Sequence, residues 1–295
     1  MSRTTPPRPL DPEELFPELG DFRLGTVRLH PRPGKPGPQE SSVGGPMLWP
    51  TDEPWPVCTR PGGDDHPAEP VPMLPVAQLY ERDIPGLPAP DGKDLLQVFW
   101  CGFTGHTDGH ELNVHVAWRR SSSVAEPLGS PPVPEVEGTD NLVPSPCVLD
   151  PEEVLEHEDL WALPEELRER IETWEEETEE AAEDVWEEDA DEPPTYTHDL
   201  SIAPGWKSGG GVSWTLTAAP VPVTCETCGA AMHPLLTADT REWDGGTTSW
   251  IPLEDQPTAD TYGSNVPTGI YVGRGRLIVF ACPTDPEHPH QWVSQ

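Results

Sequence analysis

Basic residues are scarce in this chain. Lys and Arg number 17 against 53 Asp and Glu in 295 residues, giving a formal net charge of −36 and a pI near 4.3. That deficit disfavours nucleic acid as a ligand, because holding a phosphate backbone takes Lys and Arg to displace its counterions. It also argues against an anionic membrane surface and leaves a basic protein as the compatible partner. Long apolar runs are missing too. Nothing approaches the roughly 18 residues of a membrane-spanning helix. The longest candidates, 95–103 and 269–282, are interrupted by Gly, Gln or Arg. The opening Met-Ser-Arg-Thr-Thr-Pro-Pro-Arg-Pro-Leu lacks the apolar stretch of a secretory signal. A cytoplasmic location is the expectation. In that reducing compartment the six cysteines are expected as thiols or metal ligands rather than disulfides.

Enzyme signatures are absent as well. The chain has no phosphate loop, no strand–Gly-x-Gly-x-x-Gly–helix unit, no His-Glu-x-x-His and no Gly-x-Ser-x-Gly. The densest polar cluster is His106, Asp108, His110, Glu111 and His115. A catalytic metal would have to use His110 and His115 there, whereas loop and solvent-facing strand positions are the simpler reading.

What the chain does have is Pro (41), Gly (26) and Trp (12). The first two suit a loop-rich fold. The tryptophans mark a folded one, since disordered segments are poor in large aromatics. Period-2 alternation predicts strands at 22–29 and at Leu112 to Trp118, and a hairpin over Ile270-Tyr271-Val272, Gly273-Arg274-Gly275 and Leu277 to Phe280. A short helix is expected from Asp11-Pro12-Glu13-Glu14. Residues 150–192 hold 22 acidic residues against Arg168 and Arg170 alone. Two helix starts are read in this block, Asp150-Pro151-Glu152-Glu153 and Leu163-Pro164-Glu165-Glu166. The second opens an apolar stripe of Leu163, Leu167, Ile171, Trp174, Ala181, Ala182 and Val185, closed by Pro193-Pro194. Such a helix would dock by its stripe with its Glu face solvated, or serve as an acidic interaction arm.

The two halves echo each other. Gly44-Gly45-Pro46-Met47-Leu48-Trp49 matches Gly209-Gly210-Gly211-Val212-Ser213-Trp214, with Gly-Gly expected at a sharp strand entry. Pro56-Val57-Cys58 loosely matches Pro222-Val223-Thr224-Cys225. Leu96-Gln97-Val98-Phe99-Trp100-Cys101 matches Leu277-Ile278-Val279-Phe280-Ala281-Cys282, and a His follows each last Cys. Three matches in one order suggest a duplicated β unit.

Cys225-Glu226-Thr227-Cys228-Gly229 is a Cys-x-x-Cys turn, and Cys282 with His288 supplies two further donors beyond a 53-residue interval. Four borderline-soft ligands suit a tetrahedral structural zinc, one per chain, at Cys225, Cys228, Cys282 and His288. His290 is the rival fourth ligand, and reduced thiols in a β core are the alternative. In the first half Cys58, Cys101 and His106 hold equivalent places and Cys147 could join them. No Cys lies three residues after Cys58, so buried free thiols are the simpler expectation there.

These residues resemble a family. Ser42-Val43-Gly44-Gly45-Pro46, Trp55-Pro56, Pro75 to Leu79, Leu95 to Phe99 and Lys207-Ser208-Gly209-Gly210 look like the YwqG-like bacterial family of unassigned function. The second half is also similar in pattern to the programmed cell death 2 family: Gly-Gly-x-x-x-Trp, Cys-x-x-Cys-Gly, then a strand ending Phe-x-Cys. The resemblance implies protein binding, either chaperoning of a ribosomal protein or toxin immunity, and carries over no catalytic residue.

The resulting expectation is a mainly β (α+β) protein of two related β-rich lobes. Residues 1–40 form a leader with a short helix and an edge strand, 41–149 the first lobe, 150–195 an acidic helical insertion, and 196–295 the second lobe with the zinc site. The expected function is a chaperone-like or immunity-like interaction module for a basic protein client, without nucleic acid or membrane. A metal- or carboxylate-dependent hydrolase with its site in the first lobe is the alternative.

Overall fold

Short strands joined by Pro- and Gly-rich connections make up most of the regular structure. The computed structural model describes residues 2–60, 66–67, 70–106, 112–132, 138–183, 193–214, 219–272 and 275–295. In chain order these give α1 (Pro12–Leu15), β1 (Arg23–Arg28), β2 (Arg32–Pro33), β3 (Ser42–Val43), β4 (Val57–Cys58), β5 (Val71–Pro72), β6 (Leu74–Tyr80), β7 (Leu95–Trp100) and β8 (Val114–Arg119). There follow β9 (Cys147–Val148), β10 (Glu152–His157), α2 (Glu165–Glu183), β11 (Lys207–Gly209), β12 (His233–Asp239), β13 (Arg276–Ala281) and β14 (Gln291–Ser294). The protein is mainly β. One sheet runs β10-β1-β11-β12-β13-β14, a second runs β2-β9-β3-β6-β7-β8, and β4-β5 is a separate ribbon. No described helix is long and apolar enough to cross a membrane.

The two six-stranded sheets pair in the same pattern. Ser42 of β3 faces Gln78 of β6, and Lys207 of β11 faces Thr237 of β12, three residues after Pro75 and Pro234 in turn. The β6·β7 ladder shifts register between Pro75 and Ala77, and the β12·β13 ladder between Pro234 and Leu236. A proline offers no N–H to a ladder, so a bulge is where a strand tolerates one. Both Gly-Gly pairs stand where a strand ends rather than where it begins. Gly44 has φ 62° and an added Cβ would lie 2.5 Å from the Pro144 carbonyl oxygen; Gly210 has φ 73° and its Cβ would lie 2.4 Å from Glu156 Oε2. Close backbone approach and positive φ together demand glycine at both places.

Alternation sorts each central strand between two environments. Leu96, Val98 and Trp100 of β7 and Leu277, Val279 and Ala281 of β13 enter one core shared by both sheets. Phe99 and Cys101 point to the outer side of one sheet, with Met47, Trp49, Cys58 and Met73. Ile278, Phe280 and Cys282 do the same on the other, with Val212, Trp214, Cys225 and Met232. Both sheets also take strands from outside the 41–149 and 196–295 segments: β1 and β2 from the leader, and β10 from the acidic block.

Several expectations are corrected. The segment after Asp150 is not a helix. Residues 152–157 pair with β1 along their whole length, Arg23 opposite His157 through Arg28 opposite Glu152, and that pairing overrides the capping signature. β1 is consequently interior, not an edge strand. The 270–280 hairpin does not form. Both edges of β13 are taken, by β12 and β14, and the Tyr271 N–H donates to the Asn141 carbonyl instead. Other elements stand where the pattern placed them. Asp11 caps α1, accepting from the Glu13 N–H. α2 starts at Glu165, and Leu163, Leu167, Ile171 and Trp174 pack with Phe16, Leu19, Tyr196 and Leu200. Its stripe docks only that far. Ala181 and Ala182 are exposed, and Val185 lies outside the described residues.

Candidate metal centres

Cys225 and Cys228 sit on a turn closed by the Gly229 N–H donating to the Cys225 carbonyl at 2.8 Å. Gly229 has φ 73°, while a Cβ there would meet nothing, so backbone conformation alone calls for glycine. Cys282 directly follows β13. His288 is brought back by a turn in which Asp285 accepts from the Glu287 and His288 N–H groups. The donor atoms of Cys225, Cys228, Cys282 and His288 all lie within 4.8 Å of one another. Cys225 Sγ is 3.5 Å from His288 Nδ1, and Cys228 Sγ is 3.4 Å from Cys282 Sγ. Zn–S bonds of about 2.3 Å and Zn–N bonds of about 2.0–2.1 Å would set tetrahedral S and N ligands about 3.5 Å apart. The other ring nitrogen of His288 faces Asp285 Oδ2 at 3.8 Å, the carboxylate partner that commonly orients a ligating imidazole. Burial pushes the Cys282 thiol up, but the Asp285 N–H, His288 and the Thr284 N–H together hold it down at about 6. His290 is not in this group. It lines an adjoining concavity with His115, Trp118 and His288 itself.

A second group forms on the outer side of the other sheet. Cys58, His66, Cys101 and His106 also bring their donor atoms within 4.8 Å. Both clusters could hold a metal. Cys147 does not join this one; it is buried in β9, its Sγ 3.4 Å from the Pro267 carbonyl. His66 was not expected from the sequence. The Cys-x-x-Cys spacing is the usual signal, and here an eight-residue step replaces it. Of the polar cluster considered for catalysis, His106 belongs to this thiol group and His115 is exposed on β8; Asp108, His110 and Glu111 lie outside the described residues.

Next to the Cys282 centre runs a cleft of about 980 Å³ across the β10 end of its sheet. Leu155, Gly210, Trp214, Phe280 and Cys282 line it, with Glu153 and Glu158 supplying negative charge. β10 pairs only with β1, so its outer edge is unpaired among the described residues.

A separate polar centre is closed. His30, with φ 44° and no exposure, places Nε2 3.2 Å from Glu152 and Nδ1 3.7 Å from Glu242. Arg32 pairs with Asp255, and Arg28 donates to Thr5 Oγ1 and to the Trp250 carbonyl. These bonds tie Thr5 and the 242–255 connection to the end of β1 and the residues that follow it.

No family model matches the chain, and no curated protein is found similar to it.

Proposed function

We propose that the chain is a cytoplasmic protein-interaction module, chaperone-like or immunity-like, that takes an extended basic segment of a client into the cleft beside β10. One observation carries this reading: a cleft bearing Glu153, Glu158 and exposed Leu155 lies along β10, whose outer edge is unpaired among the described residues. A strand edge offers main-chain hydrogen bonds to an added strand, and carboxylates select a Lys- or Arg-rich one. The −36 net charge and the resemblance to the YwqG-like family point the same way. Zinc at Cys225, Cys228, Cys282 and His288 has a structural role in this reading. Four protein donors would leave that ion no open position for a substrate.

The test is a labelled peptide alternating Lys with Val, titrated into the whole chain. Affinity should fall steeply between low and high salt and fall again in Glu153→Gln. Binding indifferent to both changes would overturn the reading. Pull-down from cytoplasm followed by mass spectrometry identifies the client itself.

A further inference from the structure

We propose that Cys58, His66, Cys101 and His106 bind a second zinc-class ion, so that the chain carries two structural metals, one on the outer side of each six-stranded sheet. The inference is independent of client binding. Its first support is geometry. Four donors of the right chemistry converge, and Cys101 Sγ stands 3.5 Å from His66 Nε2, the tetrahedral S–N edge found also at Cys225 and His288.

The second support is an unanswered cost. His106 is 4% exposed, and among the described residues neither of its ring nitrogens has a hydrogen-bond partner. A buried imidazole left without any partner is destabilising, whereas a metal beside two thiols and a second imidazole would satisfy it. Free thiols at Cys58 and Cys101 would leave that ring unexplained.

The third support is the surroundings. His66 Nδ1 lies 2.8 Å from the Pro67 carbonyl, so the N–H sits on Nδ1 and the Nε2 lone pair faces the cluster. Asn113 Nδ2 donates to Cys58 Sγ at 3.2 Å, an N–H···S bond that favours the thiolate.

The fourth is register. Counting from the shared bulge, Cys101 and Cys282 fall at the same ladder position, beyond Trp100 opposite Leu74 and beyond Ala281 opposite His233. Cys58 packs with Met73 and Trp49 as Cys225 packs with Met232 and Trp214. His106 then corresponds to His288, and His66 replaces Cys228. The pair is one duplicated site in which an exposed Cys in a tight turn has given way to a His on a longer loop.

The experiment is metal counting by elemental analysis on the whole chain, purified without a polyhistidine tag. Wild type should hold two zinc ions per chain. Cys101→Ser should hold one, Cys282→Ser one, and the double variant none. His106→Ala, which keeps both thiols, should also hold one and serves if Cys101→Ser fails to fold. Cobalt loading gives a second readout. Cys282→Ser should show the tetrahedral spectrum of two thiolates and Cys101→Ser that of three. One zinc in the wild type, kept in His106→Ala and lost in Cys282→Ser, would overturn the proposal. So would rapid alkylation of Cys58 and Cys101 in the native protein before any chelator is added.

Discussion

At Glu156 a fully buried carboxylate accepts from Lys207 Nζ at 2.6 Å and from the Ala203 and Gly211 N–H groups at 2.9 Å. Lys207 is itself 2% exposed. Removing one partner of such a pair strands the other charge, so Lys207→Met should lower stability by about 3–5 kcal/mol in urea unfolding at neutral pH. Glu156→Gln should be harmful in a pH-dependent way. Burial depresses the Lys207 ammonium below its ordinary 10.5, and Glu156 is the main group opposing that. With Glu156 gone the unfolded state binds more protons than the folded one up to Lys207's unfolded value, so the variant's deficit should shrink as pH rises. Unfolding at pH 7 and pH 9.5 checks this, and an equal deficit at both refutes it. Residues of this kind were not legible in the sequence, because a buried Lys reads like any other Lys until its partner strand is known. Cys225, Cys228, Cys282 and His288 were legible, since Cys-x-x-Cys is a local signal. His66 was not, because its loop imposes no spacing rule.

α2 shows what periodicity does and does not reveal. The run from Leu163 to Trp174 predicted a docked face, and Ile171 is fully buried there beside Phe16 and Tyr196. Ile171→Ala should therefore cost about 2–5 kcal/mol, measured by denaturant unfolding. The exposed Glu176, Glu177, Glu179 and Glu180 carry no such role. Replacing those four with Gln should change stability by no more than about 0.5 kcal/mol per site. If the helix steers a basic client, the same change should slow association, and the effect should vanish at high salt, because exposed charges are screened beyond about 10 Å at 0.1 M. Stopped-flow association of client with wild type and the quadruple variant reads both. Glu175 is left out because it accepts from the Tyr196 N–H at 2.6 Å and so helps seat the helix. β10 escaped detection for the opposite reason. Its helix-start signature is local, whereas its strand identity depends on β1, more than a hundred residues earlier.

Across the whole molecule the two echoing halves do not stand apart. Val27, Val43, Val98, Trp206 and Val279 share one core, and the Trp292 Nε1–H donates to the Leu112 carbonyl at 2.9 Å, joining the two sheets' margins. The echo between the halves was legible as a sequence pattern because glycines, tryptophans and cysteines recur in order. The face-to-face packing was not, because apolar alternation says which residues turn inward and not what they meet. Acid response follows from the strap across β1. Burial raises the Glu152 carboxyl, but His30 and Thr5 outweigh it and hold the group down at about 2. A depressed folded value contributes stability above pH 4.5 that is lost as pH falls toward 2, so the gap between wild type and Glu152→Gln should close over that range in acid unfolding. The shared core makes a further demand. Structural zinc contributes on the order of 10–16 kcal/mol of apparent binding energy that is also folding energy. If each sheet were an independent lobe, losing a metal held at Cys282 would melt one half and spare the other. With one core, the intact sheet loses the surface it packs against, so the whole chain should unfold in a single transition. Cys225→Ser, which leaves Cys58, His66, Cys101 and His106 untouched, should lower that transition by more than about 10 °C without splitting it. Far-ultraviolet circular dichroism and tryptophan fluorescence should give coincident melting curves. Two separated transitions in Cys225→Ser would show that each sheet folds on its own.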